Sequence, residues 1–236
     1  MSVADDFDVV ADRYDVMVGL SPGYHQDLRR SVRRLGLIEP ARRPLRVLDL
    51  GCGTGASTRA ILSVHPGAEI TAVDASAGML AAARAKQWPS QVDFLHAQAE
   101  HVTEALAAVD APDAFDGVLA AYLVRSVSDR DGVLGAARGL LAPGGRLAVH
   151  EYSVADSRRA QLTWRLVCRG VITPTGWLVS RHTALYRYLE RSVLDFDGVA
   201  AFRQRLSAAG FADVRVVPMS GWQRGILHTF LGTRPR

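Results

Sequence analysis

The run Leu45-Arg46-Val47-Leu48-Asp49-Leu50 passes without a break into Gly51-Cys52-Gly53-Thr54-Gly55, and a helix-forming stretch follows. An apolar strand that ends on glycines at alternate positions restricts this chain's fold more than any other feature. Glycine lets the backbone turn sharply and lets a ligand approach where a Cβ would stand in the way. Strand, loop and helix in that order open a β-α-β unit, whose ligand lies beyond the carboxyl end of the strand. The alternation continues along the chain. Strand candidates are 45–50, 69–74, 92–97, 115–121 and 145–152, and Ala- and Leu-rich helical segments at Thr58–Val64, Ala77–Lys86 and Asp131–Leu141 lie between them. Pro143-Gly144-Gly145 stops the last of these helices. The tail predicts a helix over Gly198–Ala209, a stop at Gly210, and strands at 212–219 and 225–232 joined through Ser220-Gly221-Trp222-Gln223. The expected fold is therefore α/β and Rossmann-like, a mostly parallel sheet with a terminal antiparallel hairpin and helices on both faces.

Around this core (45–152) the chain carries an N-terminal helical cap (1–44), a lid or substrate insert (153–196) and the C-terminal helix and hairpin (197–236), all within one domain. Asp5–Tyr14 and Gln26–Leu35 read as helices lying over a pocket. Asp156–Leu194 is rich in Arg, aromatic and aliphatic residues and is interrupted by Thr173-Pro174-Thr175-Gly176. Its residues Trp164, Leu166, Val167, Val171, Ile172, Trp177, Leu178 and Val179 suit either core packing or an apolar channel, or else a surface that rests on a membrane. Arg158, Arg159, Arg165, Arg169 and Arg181 stand ready for anionic headgroups beside it.

Charge excludes some function classes. The net charge is only +4, nearly all the basic residues are Arg, and Lys86 is the only lysine. Basic residues cluster at Arg29, Arg30, Arg33, Arg34, Arg42 and Arg43, but no aromatic-and-basic module accompanies them, which argues against nucleic acid. Cys52 and Cys168 match no metal spacing and build no disulfide framework, so no metal and a reducing cytoplasm are expected. No apolar run reaches the length of a membrane span, and the acidic N-terminus has no signal-peptide character. Contact with a membrane would be peripheral, and a homodimer is compatible with the sequence.

Two acids bear on the ligand. Asp49, two residues before the first glycine, suits a ligand carrying an ammonium and suits a pyrophosphate poorly; its alternative role is to cap the following helix. Asp74 closes the second strand, placed to accept hydrogen bonds from both ribose hydroxyls. Gly51-x-Gly53-x-x-Ala56 also satisfies the relaxed dinucleotide pattern, and Asp74 fits NAD as well, so it is Asp49 and the terminal hairpin that weigh against a nicotinamide enzyme.

The stretches VLDLGCGTG, ITAVDAS and LLAPGGRLAVHEYS resemble the successive signatures of class I S-adenosylmethionine-dependent methyltransferases. That resemblance implies a seven-stranded sheet and S-adenosyl-L-methionine as cofactor. It implies that Gly51, Gly53, Thr54 and Gly55 cradle the cofactor, that Asp49 and Ala120-Ala121 face its methionine part, and that Asp74 holds the ribose. It places Ala75 and Met79 on either side of the adenine, with Gln98-Ala99 at its edge; Met79 is equally suited to the core.

The flanks narrow the likeness. Tyr14-Asp15-x-Met17, Ser21-x-Gly23-x-His25, Leu123-Val124-Arg125-Ser126-Val127-Ser128-Asp129, Tyr186-Arg187-Tyr188-Leu189-Glu190 and Met219-Ser220…His228 resemble the ubiquinone/menaquinone-biosynthesis C-methyltransferases of the UbiE type. Departures lie at Leu123 and Ser126, where that family has Gly and Asn, at Val18-Gly19, and in the longer Ala-rich segment Thr103–Ala111. The resemblance implies C-methylation of a quinol-like, prenylated small molecule. Arg125 would then make the acceptor phenol more acidic or orient a water, and His25 would be a base, with His150 and His182 as further candidates. Tyr14, Tyr122, Trp164 and Tyr186 would bind the acceptor. The same fold also serves O- or N-methyltransferases of secondary metabolites and non-methylating cofactor binders, so those readings stay open.

Overall fold

The computed structural model describes residues 15–16, 18–19, 21, 23–109, 111–180 and 184–236. The expected helix Asp5–Tyr14, with Tyr14 itself, and His182 lie outside these residues. The strands are β1 (Arg46–Leu50), β2 (Glu69–Asp74), β3 (Val92–His96), β4 (Phe115–Ala121), β5 (Leu141–Tyr152), β6 (Ala212–Pro218) and β7 (Leu227–Thr233). They form one sheet in the order β3-β2-β1-β4-β5-β7-β6. The pairs among β1 to β5 are parallel, whereas β7 runs antiparallel to both β5 and β6. The hairpin expected at the tail is present, with β7 inserted against β5 and β6 left at the edge. Strand order reverses between β1 and β4, which opens a crevice at their carboxyl ends.

Helices cover both faces because β1 is buried on both. Val47, Leu48, Asp49 and Leu50 are all at most 1% exposed. On one face α1 (Tyr24–Leu35), α2 (Ala56–Val64) and α3 (Ala77–Arg84) contribute Leu28, Val32, Leu35, Ile61 and Leu80 to a core with Val47 and Leu119. Leu28, Val32 and Leu35 recur at helical spacing, and burying each stabilises the fold by about 1.5–3 kcal/mol. On the other face lie α4 (Val102–Ala107) and α5 (Arg130–Leu140), which pack with Leu48, Leu50, Val118 and Phe230.

The lid departs from the sequence expectation. α6 (Arg158–Val167) continues through a π-helical turn at Cys168–Ile172 into α7 (Thr173–Ser180), so Thr173-Pro174-Thr175-Gly176 does not interrupt it. Pro174 lies inside this continuous run directly after the π turn, whose wider pairing accommodates the missing N–H and the ring. α8 (Ala184–Leu194) folds back, and Val154, Ala160, Trp164, Cys168, Val193 and Ile226 make a separate small core. α9 (Val199–Ala208) returns the chain to the main core through Phe202 and Leu206 before β6.

Candidate active site

The glycine loop begins where β1 ends. Gly51 and Cys52 donate their N–H groups to the Val73 carbonyl at 2.8 and 3.0 Å, which ties the loop to β2. Gly53 has φ 54°, and a Cβ there would project into open space. Gly55 has φ 89°, and a Cβ there would stand 2.6 Å from the Trp88 ring. Trp88 is fixed by its indole N–H, which donates to the Ala83 carbonyl at 2.8 Å. Lys86 pins the loop from outside, donating to the Thr54 carbonyl at 2.6 Å and pairing with Asp15. The Thr54 hydroxyl donates to the same Asp15 carboxylate at 2.6 Å.

Beyond the loop opens a cavity of about 290 Å³. Its walls include Gly51, Gly53, Thr54, Asp74, Ala75, Met79, Gln98, Ala99 and Ala121, which the sequence had assigned to one cofactor, and also Cys52, Ser76 and Glu100. Asp74 receives the Gly53 N–H on Oδ2 at 2.7 Å and the Ser76 N–H on Oδ1 at 2.9 Å. Burial raises its pKa against the pull of those donors.

Asp49 is placed differently from the expectation. Strand alternation turns its side chain away from the cavity that Leu50 lines, and its carboxylate meets the start of α2. The Ser57 and Thr58 hydroxyls donate to Oδ2 at 2.8 and 2.6 Å, so Asp49 braces the helix after the loop and touches the cavity only through Ser57. Its Oδ1 is buried without a partner, and desolvation pushes its pKa up to about 7. Gly55 and Ala120 likewise stand behind the wall rather than in it.

A second cavity of about 230 Å³, mostly apolar, adjoins the first. It is bounded by Val167, Val171, Ile172, Gly176, Tyr186 and Leu189 of the lid, by Tyr152, and by Trp222 of the hairpin connection. Tyr24, Tyr122 and Arg125 line both cavities and form the partition between them. Tyr24 and Tyr122 stack at 5.5 Å, and Tyr122 adopts φ 57°, a left-handed conformation that is strained for a side chain of its size.

Arg125 is 8% exposed and donates from Nη1 to Glu151 Oε1 and to the Tyr122 carbonyl, each at 2.7 Å. Glu151 is fully buried; desolvation raises its pKa while Arg125 lowers it. The cation expected to act on the acceptor is thus half of a buried ion pair. It presents an oriented dipole to the cavities rather than an unbalanced charge.

Two other assignments need correction. Trp164 lines neither cavity. It is 0% exposed in the lid's own core, packed against Tyr152 at 4.6 Å, because α6 turns it inward beneath the cavity floor. His25 is exposed on α1 and bounds neither cavity; its neighbour Tyr24 takes the inward position. His150 lies near the partition, but both ring nitrogens are engaged and burial lowers its pKa to about 3, which removes it as a base at neutral pH. Tyr186 does line the apolar cavity. Sequence reasoning missed Tyr24, Tyr152 and Glu151. Adjacent His150-Glu151 at the end of an apolar strand was the available signal, since charged residues there need buried partners. Among the described residues no cluster of His, Cys, Asp or Glu is arranged to hold a metal.

A model of the ubiE/COQ5 methyltransferase family matches residues 1–234. A demethylmenaquinone methyltransferase of Thermus thermophilus is 36% identical over 210 residues, covering 87% of this chain and 91% of the relative. A ubiquinone/menaquinone biosynthesis C-methyltransferase UbiE of Bradyrhizobium diazoefficiens is 33% identical, covering 93% and 87%. Among solved structures, Haemonchus contortus phosphoethanolamine N-methyltransferase 2, in complex with S-adenosyl-L-methionine, aligns with TM-score 0.68 at 18% identity, covering all of this chain and 60% of that one.

Proposed function

Because this chain belongs to the ubiE/COQ5 methyltransferase family, we propose that it methylates a ring carbon of a quinol-like small molecule, using S-adenosylmethionine as donor. The observation that carries the reading is the partition of Tyr24, Tyr122 and Arg125, with a loop-lined cavity on one side and an apolar cavity on the other. A polar donor and an apolar acceptor would meet across it. The relatives named for demethylmenaquinone and for ubiquinone/menaquinone biosynthesis support the acceptor class.

The first cavity suits S-adenosylmethionine on its own evidence. Gly53 leaves free the space a Cβ would fill, and Asp74 offers partly exposed carboxylate oxygens beside it. Asp74 would accept from the ribose hydroxyls, Met79 and Ala75 would flank the adenine, and Gln98 and Ala99 would border its edge. When bound, the cofactor supplies a methyl group already activated on sulfonium. The chain's own work is therefore placement, exclusion of water and control of charge on the acceptor. Ile172, Tyr186 and Leu189 would hold the ring and any tail, with Val171 at the exposed rim of the cavity. The Arg125–Glu151 dipole, with its guanidinium nearest the partition, would favour electron density on the acceptor oxygen and hence on the ring carbon beside it. A peripheral membrane contact belongs to the same reading. Leu162, Leu166, Val171 and Trp177 are each more than half exposed along α6, the π turn and α7, with Arg165 and Arg169 among them.

Calorimetry with S-adenosylmethionine, followed by turnover on a demethylmenaquinol, tests the proposal. Micromolar binding and a methylated product are expected. Binding of NADH in its place, or binding without product on any quinol, would overturn it.

A further inference from the structure

Behind the partition runs a chain of buried hydrogen bonds that the reading above leaves unused. It starts at Arg34 on α1, whose Nη1 donates to the Thr229 hydroxyl at 2.8 Å and to the Val217 carbonyl at 3.1 Å, while Nη2 donates to the Pro218 carbonyl at 3.0 Å. Thr229 Oγ1 lies 2.7 Å from Ser31 Oγ, and Ser31 Oγ lies 2.8 Å from His150 Nδ1. His150 Nε2 lies 2.9 Å from the Tyr122 hydroxyl. His150 and Thr229 face each other in the β5–β7 register, and Ser31, His150 and Thr229 are all 0% exposed. Water has no access with which to scramble the order.

Guanidinium has donors and no acceptor, so the Thr229 oxygen accepts from Arg34; its second lone pair leaves the Thr229–Ser31 bond open to either direction, and the inferred direction sends the Thr229 proton to Ser31. Ser31 then gives its proton to His150 Nδ1. A neutral imidazole that accepts at Nδ1 carries its proton on Nε2, and burial keeps His150 neutral. That Nε2–H donates to the Tyr122 oxygen. The phenolic proton of Tyr122 is thereby turned away from His150, toward the side on which Tyr152 and the apolar cavity lie. Each donor in the line also polarises the next, which makes the last proton a stronger donor. The Tyr122 N–H donates to the His150 carbonyl at 2.8 Å, holding the strained backbone in register with the relay.

We propose that Arg34, Thr229, Ser31 and His150 are positioning residues that lock Tyr122 as a hydrogen-bond donor to an oxygen of the acceptor entering beside Tyr152. The inference rests on the proposed function and sharpens it. The acceptor must present an oxygen able to accept that bond, and the oxygen is held on the partition rather than deeper in the lid.

The experiment pairs imidazole ¹⁵N spectroscopy of the full-length protein with kinetics on a demethylmenaquinol. His150, identified by loss of its signal in His150→Gln, is expected as the Nε2–H tautomer and unchanged between pH 5 and 9. Thr229→Ser, which keeps the hydroxyl, should preserve that tautomer and the rate. Thr229→Val, which keeps the shape, should give a mixed tautomer. Tyr122→Phe should lower kcat/KM for the quinol by about tenfold, the effect of one good hydrogen bond, with S-adenosylmethionine affinity retained. An Nδ1–H tautomer in the unmodified protein would overturn the relay, whether or not the quinol is turned over. A Tyr122→Phe variant as fast as the parent would overturn the donor role while leaving the methyl-transfer reading intact. Absence of quinol turnover in the parent would sink the acceptor assignment and, with it, the role of Tyr122.

Discussion

Asp49 stands in the glycine signature, yet its chemistry is that of a brace. Its carboxylate is enclosed, held on one oxygen by Ser57 and Thr58 and unpartnered on the other. The fold raises its pKa from an ordinary 3.8 to about 7. Between those values the unfolded chain has already lost the proton that the folded one keeps, so this group's contribution to stability falls as pH rises from about 4 to about 7. Asp49→Asn keeps an acceptor for Ser57 and Thr58 and removes the titration. The variant's melting temperature is expected to gain on the parent's as pH rises across that window; a constant difference would contradict the assignment. Arg125 poses the opposite case. Arg125→Ala leaves Glu151 charged and buried with its counter-charge gone, at a cost of about 3–5 kcal/mol in denaturant unfolding. Pairing it with Glu151→Leu should recover most of that loss, whereas additive losses would show that the two side chains do not act as a pair.

Among the elements, β1, the glycine loop, β2 and the terminal hairpin were legible because apolar runs, glycines and turn residues act locally. The loop contacts of Gly53, Asp74 and Met79 followed from that reading, since a loop at a strand end has few places to go. Trp164 and His25 were misplaced for a different reason. The spacing of Tyr24, Leu28, Val32 and Leu35 on α1, and of Ala160, Trp164 and Cys168 along α6 and its π turn, marks the packed face of each helix, but which packed residues also border a cavity depends on what packs against them. The passage from α6 through a π turn to α7 was hidden by Pro174, a residue that ordinarily kinks or breaks a helix interior and is accommodated here beside the wider turn. The packing of α7 on α8 makes a prediction at this scale. A Cβ on Gly176 would overlap the Tyr186 ring, which lines the apolar cavity. Gly176→Ala should displace that ring and raise KM for the quinol several-fold, with the S-adenosylmethionine dissociation constant unchanged in calorimetry. A weakened cofactor affinity would show that the two cavities are not separate sites.

At the scale of the molecule, the sheet sets the two cavities side by side at the carboxyl ends of its parallel strands, and the lid closes the second of them. No described helix is long and apolar enough to cross a membrane. The exposed Trp177, with Leu162, Leu166 and Val171, gives the lid an apolar outer face beside the cavity for an apolar acceptor. Sedimentation with anionic vesicles should carry the protein down at low salt, and Trp177→Ala should weaken that recovery; equal recovery from neutral vesicles would contradict the arginine contribution. Protein incubated with a demethylmenaquinol and S-adenosylmethionine carrying a ¹³C methyl group should yield a product whose label resonates as a methyl on an aromatic ring carbon. A label found on oxygen, or none transferred by protein that still binds the cofactor, would contradict the account.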